Sequence, residues 1–317
     1  MRKILALGLV LGLWAMPAVA DIYSDCDQDR DMDLKIQACT AVIENGPQTV
    51  GLARAYYKRG IAYSGNGEYD RSIEDYDQAI ALDPNFADAY FKRGSAHALQ
   101  NQYDRAIEDY DQALALNPEN AKAYSNRGNA FREKGQFDRA IADYDRAIAL
   151  NPTDTKPYNN RGSAHDDKGE YDLAIEDYDR AIGLDPNYAI AYYNRGNAYS
   201  EKGQNDQATE EYDRAIKDYA RAIALNPKFA NAYYKRGVTY LDKAEYDSAI
   251  ADLNRSLELN PDYARAFDTR ALAFEKLNNF DAAEKDYRKA LTLSPGLKSS
   301  TEGLARVLSA LGNGKTQ

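Results

Sequence analysis

Residues 121–154 read AKAYSNRGNAFREKGQFDRAIADYDRAIALNPTD, and this 34-residue stretch decides the fold because close copies of it follow one another along most of the chain. Seven prolines mark the period, with a spacing of 34 residues on either side of a single step of 41: Pro84, Pro118, Pro152, Pro186, Pro227, Pro261 and Pro295. A fixed period of this length predicts a solenoid of helix–turn–helix units that stack on their neighbours.

Each unit has the pattern of two packed helices when Ala121 is counted as position 1. Positions 4, 8 and 11 lie on one face of a first helix. Position 8 is glycine in six units, and we expect the missing side chain to let a second helix approach closely, which must offset the roughly 1 kcal/mol that glycine costs inside a helix. Proline at position 32 ends the second helix. Four glycines at position 15 are predicted to end first helices: Gly67, Gly135, Gly169 and Gly203.

This pattern resembles the tetratricopeptide repeat (TPR). The quoted unit meets all seven residue preferences of the family, at Tyr124, Gly128, Phe131, Ala140, Tyr144, Ala147 and Pro152. The resemblance covers residues 53–297 in seven units. It implies an all-α fold, a right-handed superhelical solenoid of antiparallel helix pairs, and a protein-binding scaffold. It implies no particular partner, because one fold serves many functions.

The repeat divides the chain into segments with distinct expected roles. They are a signal peptide at 1–20, an N-terminal capping half-repeat at 21–52, units 1–4 at 53–188, unit 5 with a seven-residue insertion at 189–229, units 6–7 at 230–297, and a C-terminal capping helix and tail at 298–317. Seven residues are two helical turns, so we expect one long second helix in unit 5, from about Asp206 to Leu225. Ser299 and Glu302 fit a capping box that opens the last helix, and Gly312 is expected to end it.

The N-terminus predicts export. A basic start, an apolar run from Ile4 to Met16 and an A-x-A end form a secretory signal peptide, and the run is shorter than a membrane span of about 20 residues. Its removal takes the formal net charge from −10 to −12, because it holds two basic and no acidic residues. We therefore expect a periplasmic or extracellular chain without membrane insertion, and the acidic balance argues against nucleic acid as a partner.

Cys26 and Cys39 are the only cysteines. An oxidising compartment favours a disulfide between them, and two free thiols are the alternative. Residues 33–44 echo the second helix of a unit and place Cys39 where Tyr144 stands in the quoted unit.

Position 7 is an arginine in every unit: Arg59, Arg93, Arg127, Arg161, Arg195, Arg236 and Arg270. In an antiparallel hairpin it lies near positions 23–25, which carry aspartate pairs such as Asp143 and Asp145. Repeated ion pairs are the structural interpretation, and a row that binds phosphate or carboxylate ligands is the alternative. His97 and His165 occupy the core position 11, and enzyme motifs are missing from the sequence. We expect no catalytic residues, no metal site, no cofactor and no enzymatic activity.

Positions 2, 5, 6, 9, 12 and 13 share the opposite face of the first helix, which lines the concave surface in the TPR fold. We call it the groove face. Position 6 gives Asn126, Asn160 and Asn194, and an asparagine side chain has both a donor and an acceptor for a peptide backbone. This row looks like the asparagine ladder of O-linked N-acetylglucosamine transferase, which holds extended peptide. A solvated residue spread by repeat duplication is the alternative interpretation.

Other groove-face residues extend the candidate site. They are Asn129, Ser163, Asn197, Lys58, Lys92, Lys122, Lys156, Lys235, Tyr57, Phe91, Tyr193 and Tyr234. At positions 2, 5, 6 and 9 of the first five units the charged residues sum to +4. The sequence thus predicts a non-enzymatic scaffold that binds an extended, neutral-to-acidic polypeptide segment. A self-associating structural or spacer protein without a groove ligand and a glycan-binding solenoid are the alternatives.

Overall fold

A computed structural model describes residues 26–28, 31–45, 51–206 and 209–314. The predicted signal peptide, residues 1–20, lies outside these ranges. Within them the regular secondary structure consists of 16 α-helices and no strand. In the described part of the chain, none of the helices combines the length and apolar character needed to cross a membrane.

The chain forms two compact units, divided between Lys134 and Gly135. The first contains α1 (Met32–Asn45), α2 (Gly51–Gly65), α3 (Tyr69–Leu82), α4 (Ala87–Leu99), α5 (Tyr103–Leu116) and α6 (Ala121–Glu133). The second contains α7 (Phe137–Leu150), α8 (Thr155–Asp167), α9 (Tyr171–Leu184), α10 (Ala189–Asp206), α11 (Thr209–Leu225), α12 (Ala230–Asp242), α13 (Tyr246–Leu259), α14 (Ala264–Lys276), α15 (Phe280–Leu293) and α16 (Lys298–Gly314).

Each compact unit is a stack of consecutive antiparallel helices. Every helix packs against the next one along the chain within its unit. First helices also contact each other, α2 with α4 and α4 with α6 in one unit, and α8, α10, α12, α14 and α16 in series in the other. The all-α class and the stacking of helix pairs predicted from the period are confirmed.

We call the contact between the two helices of a pair the seam. A methyl group added at Gly60 would lie 2.7 Å from Cε1 of Tyr76, and one added at Gly162 would lie 2.8 Å from Cε1 of Tyr178. These tyrosines occupy position 24, where the side chain is almost completely buried. The predicted close approach at position 8 is therefore present, and it depends on glycine because any Cβ would overlap the ring.

The arginines at position 7 form a ladder along the seam. Arg93 donates from Nε and Nη2 to the buried Asp109 of its own pair, at 3.0 and 2.6 Å, and from Nη1 to Asp77 of the preceding second helix, at 2.5 Å. The same two-carboxylate bridges join Arg161 to Asp177 and Asp145, and Arg195 to Asp218 and Asp179. The structural interpretation of the arginine row is thus confirmed within each unit.

The described residues before the first repeat contain the helix α1. α1 takes the place of a second helix, since its Thr40 hydroxyl accepts from Arg59 Nη1 at 3.0 Å, as Asp77 does from Arg93. A disulfide joins Cys26 to Cys39, and both residues are buried in a small core with Val42. The predicted disulfide is present.

The last helix begins and ends differently from the prediction. Ser299 and Ser300 donate their hydroxyls to the carboxylate of Asp268 on α14, at 2.8 and 2.5 Å, because α16 packs beside that helix. The capping-box interpretation is therefore wrong, and α16 starts one residue earlier, at Lys298. It continues through Gly312 to Gly314.

The insertion in unit 5 is shared between two helices. α10 has 18 residues and α11 has 17, against 13 and 14 in the next pair. The second helix, α11, is long and ends at Leu225 as predicted, but it begins at Thr209 because α10 takes up part of the insertion and extends to Asp206. Helices that pack side by side lengthen together, so that the extra turns have a partner. Gly203, predicted to end the first helix, stays inside α10. The ring of Tyr219 lies against Gly196, so Tyr219 occupies position 24 of unit 5. The second helix of this unit therefore has the positions obtained by counting back from Pro227.

Candidate functional site

The groove face of the first compact unit contains a cleft of about 430 Å³ between α4, α5 and α6. Its lining residues are Ser95, Ala98, Leu99, Tyr103, Tyr110, Asn126, Asn129, Ala130 and Glu133. Two of the predicted site residues, Asn126 and Asn129, therefore lie together in one cleft. The Leu99 side chain is 60% exposed there, the largest exposed fraction among the bulky apolar residues in the described ranges. An exposed apolar side chain beside polar groups in a concave surface offers apolar contact to a ligand.

Tyr110 forms the polar floor of this cleft. Its hydroxyl donates to the Ser95 Oγ atom at 3.3 Å and also hydrogen-bonds the Asn126 side chain. Burial raises the pKa of Tyr110 to about 12, although the hydrogen bonds with Ser95 and Asn126 act in the opposite direction. The tyrosine hydroxyl thus stays protonated at neutral pH and orients the Asn126 carboxamide, while Asn129 is exposed on the next turn of α6.

In the second compact unit, Asn160 and Asn194 are linked through a residue that the sequence analysis missed. Asn194 donates from Nδ2 to Asn159 Oδ1 at 3.0 Å, and Asn159 donates from Nδ2 to Asn160 Oδ1 at 3.4 Å. Asn159 is only 5% exposed and occupies position 5, where most units have an aromatic residue. That departure from the aromatic pattern was the available signal for its role.

The position 9 residues of the second compact unit bind the tyrosines of the seam. The Tyr178 hydroxyl donates to Ser163 Oγ at 3.2 Å, and the Tyr219 hydroxyl donates to Asn197 Oδ1 at 2.9 Å. Both polar side chains therefore satisfy buried hydroxyls and are half-exposed on the groove face at the same time.

The predicted aromatic residues at position 5 pack against aromatic rings of their own repeats. The ring of Tyr57 lies 4.7 Å from that of Phe86, and Tyr193 and Tyr234 make the same 4.7 Å contact with Phe229 and Tyr263. Phe91 lies 6.0 Å from Tyr110. These four rings are half-buried.

The predicted lysines differ in exposure. Lys58 forms an ion pair with Asp27, and burial lowers its pKa. Lys92 Nζ lies 5.8 Å from the centre of the Phe91 ring. Lys122 and Lys156 are exposed, and Lys235 is half-buried. The exposed pair lies at position 2, at the start of α6 and α8.

The equivalent part of the groove face around α10, α11 and α12 is acidic. Glu201 stands where Leu99 stands in the first unit, and Asp242 stands where Glu133 stands. Burial and the charge of Glu201 raise the pKa of Asp242, while Lys235 lowers it. The combination of an exposed leucine with two amides is therefore specific to the cleft of the first unit.

The described residues show no arrangement for metal-dependent chemistry, since no group of three or more His, Cys, Asp or Glu side chains there could hold a metal ion. His97 Nδ1 lies 2.9 Å from Gln102 Oε1, and His165 Nδ1 lies 2.7 Å from Glu170 Oε2. Each histidine thus contacts the side chain five residues further on, inside its own hairpin.

Family models described as tetratricopeptide repeat or TPR repeat match residues 57–114, 100–155, 167–203, 190–222, 208–244, 230–263 and 264–297. Together these matches cover more than half of the chain. The chain belongs to the tetratricopeptide repeat family, a class of helical-repeat proteins that act as protein-interaction scaffolds.

Solved structures of the same fold are distant in sequence. The Cut9-Hcn1 hetero-tetramer of the APC/C contains a chain that is 21% identical with a TM-score of 0.65, and the match covers 87% of this chain and 52% of that one. A TPR protein from Parabacteroides merdae is 19% identical, with a TM-score of 0.63 and coverages of 81% and 97%. PilF of Pseudomonas aeruginosa is 18% identical, with a TM-score of 0.60 and coverages of 69% and 97%.

The chain thus spans about half the length of the matched chain in the first of these structures. At sequence identities this low, the structural similarity supports a shared fold and nothing further. No curated protein sequence matches the chain.

Proposed function

We propose that this protein is an exported, non-enzymatic scaffold that binds an extended, neutral-to-acidic polypeptide segment on its groove face, with an apolar side chain of that segment in the cleft beside Leu99. The observation that carries the proposal is the exposed leucine next to Asn126 and Asn129. A site that offers apolar contact together with amide donors and acceptors suits a peptide, whose backbone needs both.

The charge of the surrounding surface supports a neutral-to-acidic segment. Lys92 and Lys122 flank the cleft along α4 and α6, and Glu133 is its one acidic lining residue. The remainder of the protein is strongly acidic, so a basic peptide would bind without preference for this face. A peptide with one or two carboxylates selects the groove by electrostatic complementarity.

Two features support export. The first 20 residues have the order of a secretory signal peptide, and the Cys26–Cys39 disulfide suits an oxidising compartment. Both the N-terminal leader and the cap that the disulfide fastens precede the first complete repeat.

A binding experiment on the chain from residue 21 tests the peptide site. The probe is a labelled eight-residue peptide of Gly, Ser and two Glu around one central Leu, measured by fluorescence anisotropy. We expect a Leu99→Ser/Asn126→Ala/Asn129→Ala variant to bind at least tenfold more weakly, which corresponds to about 1.4 kcal/mol. Leu82→Ser is the matched control, because Leu82 is 49% exposed and lies outside the cleft.

Two further probes decide what the cleft recognises. A peptide with central Ser should bind weakly because it lacks the apolar contact, and one with Lys in place of Glu should bind weakly because of its charge. Equal binding of all three peptides, or equal loss in the Leu82→Ser control, would contradict the proposed site. Light scattering at high concentration tests the alternative of self-association.

A further inference from the structure

The arginine ladder lacks a second carboxylate at its first step, Arg59, as it also does at Arg270, whose Nη1 donates to the neutral Asn254 Oδ1 at 2.6 Å. Arg93 holds two carboxylates, Asp109 of its own pair and Asp77 of the preceding second helix. Arg59 holds Asp75 of its own pair through Nε and Nη2, at 2.8 and 2.7 Å. Its Nη1 atom donates a hydrogen bond to the hydroxyl oxygen of Thr40 at 3.0 Å. The neutral Thr40 hydroxyl therefore occupies the position beside Arg59 that the Asp77 carboxylate has beside Arg93.

A cavity of about 560 Å³ opens at this step, between α1, α2 and α3. The α1 wall is formed in part by Thr40 and Ala41, where the next second helix has the charged Asp77 and the larger Gln78. We call this space the Arg59 cavity. It is separate from the proposed peptide cleft, because the residues that α2 contributes to it are at positions 7 and 11, outside the groove face.

A second guanidinium lines the Arg59 cavity. Arg71 stacks over the ring of Tyr63 at 3.9 Å, donates to the Tyr63 hydroxyl at 2.6 Å and pairs with Glu68. Arg59 is mostly buried and Arg71 is 56% exposed, and the two guanidinium groups together offer planar donors that suit a carboxylate. The exposed Glu44 and Glu74 also line the cavity and give it an acidic rim.

We propose that the Arg59 cavity binds a carboxylate of a partner polypeptide, which completes the arginine ladder at Arg59 as Asp77 does at Arg93. The acidic rim requires that the partner carry a cationic group close to that carboxylate, since Glu44 and Glu74 repel an isolated anion. The carboxylate can come from an acidic side chain or from a chain terminus, and both present the same two oxygens to Nη1.

Peptide titrations on the chain from residue 21 test this site and its source. One probe is acetyl-Gly-Glu-Ala-Lys-Gly-amide, with a side-chain carboxylate, and the other is acetyl-Gly-Lys-Ala-Leu with a free C-terminus. Their controls replace Glu by Gln and the terminal carboxylate by an amide. We expect saturable binding of a carboxylate probe, at least tenfold tighter than its control, and the arm that binds identifies the source.

Two variants provide matched tests of the geometry. Thr40→Asp supplies the missing carboxylate from the protein itself, so it should abolish binding and raise the melting temperature. Asp77→Thr/Gln78→Ala copies the α1 wall beside Arg93 and should add a second equivalent of bound peptide. Leu99→Ser should leave binding unchanged, which separates this site from the groove.

Equal affinity for the neutral controls would overturn the proposal, and so would unchanged binding in Thr40→Asp. If Thr40→Asp is too unstable to purify, the stoichiometry of Asp77→Thr/Gln78→Ala decides alone, because one equivalent contradicts the proposal and two support it.

Discussion

The seam and the groove face lie on opposite faces of the same first helices, yet residue types are repeated much more strictly in the seam than on the groove face. Position 7 is arginine in all seven units and position 8 is glycine in six, whereas position 6 changes from lysine to asparagine and back to lysine. The seam residues are fixed by contacts to a partner helix, as with Arg161 and Asp177. The contacts of groove-face residues differ from unit to unit, as with Asn194 to Asn159 and Tyr219 to Asn197, so the chemistry of this face can change without loss of the fold.

The largest effect expected from this comparison is at the buried carboxylates of the ladder. Asp177→Ala leaves the Arg161 guanidinium without its bidentate partner in a site where Asp177 is 5% exposed, and should lower the free energy of unfolding by about 3 kcal/mol. Asp179→Ala, whose side chain is 54% exposed, should cost less than 1 kcal/mol. Urea titrations measure the change in the free energy of unfolding for both variants. Similar losses would show that burial does not determine how much each carboxylate contributes to stability.

A smaller effect with opposite signs is expected for one substitution at two glycines. Gly162→Ala should lower the free energy of unfolding by about 1–2 kcal/mol, because its Cβ would overlap the Tyr178 ring and lie 3.1 Å from the carbonyl oxygen of Ala174. Gly183→Ala, exposed on α9 with open space around it, should raise it by about 1 kcal/mol through helix propensity. Thermal melts of the two variants check the signs, and a stabilised Gly162→Ala would refute the tight seam.

A substitution in the turn between the paired helices α12 and α13 is expected to raise the free energy of unfolding by about 1 kcal/mol. Ala244 has a φ of +59°, in the left-handed region where Gly67 and Gly135 stand in other pairs. Ala244→Gly should therefore stabilise the protein, because a Cβ is strained in that conformation. Ala251→Gly, at an exposed position inside α13, is the control and should destabilise by about the same amount. A melting temperature that does not rise for Ala244→Gly would contradict the strain.

The smallest effect on stability is expected on the groove face itself. Leu99→Ser should change the free energy of unfolding by no more than about 0.5 kcal/mol, because the side chain is mostly exposed. The same variant is expected to weaken peptide binding. A loss of more than 1 kcal/mol in urea titrations would place Leu99 among the residues that hold the stack together, and the contrast between seam and groove would fail there.

The sequence determined most of the seam, because each of its contacts is repeated at a fixed spacing. Period, proline and glycine positions were enough to place the helices, the close approach at Gly60 and the arginine–aspartate pairs. The spacing of the repeat did not place the helices of unit 5, because its seven-residue insertion is compatible with more than one alignment of repeat positions. The pairing of α10 with α11 in the structure shows which alignment is correct. It also failed at Ser299 and Ser300, whose hydroxyls find Asp268 from another helix.

The candidate binding features depended on the tertiary structure, because each arises from residues that do not repeat. Leu99 is an ordinary helix residue until α6 places Asn126 and Asn129 beside it, and Asn159 shows its role only where Asn194 reaches it. The Arg59 cavity opens where α1 packs in the place of a second helix and contributes Thr40 and Ala41 to the wall. Contacts that recur in every unit can be predicted from the spacing of the repeat alone. A site formed by residues that differ between units becomes visible only when the fold brings neighbouring helices together in space.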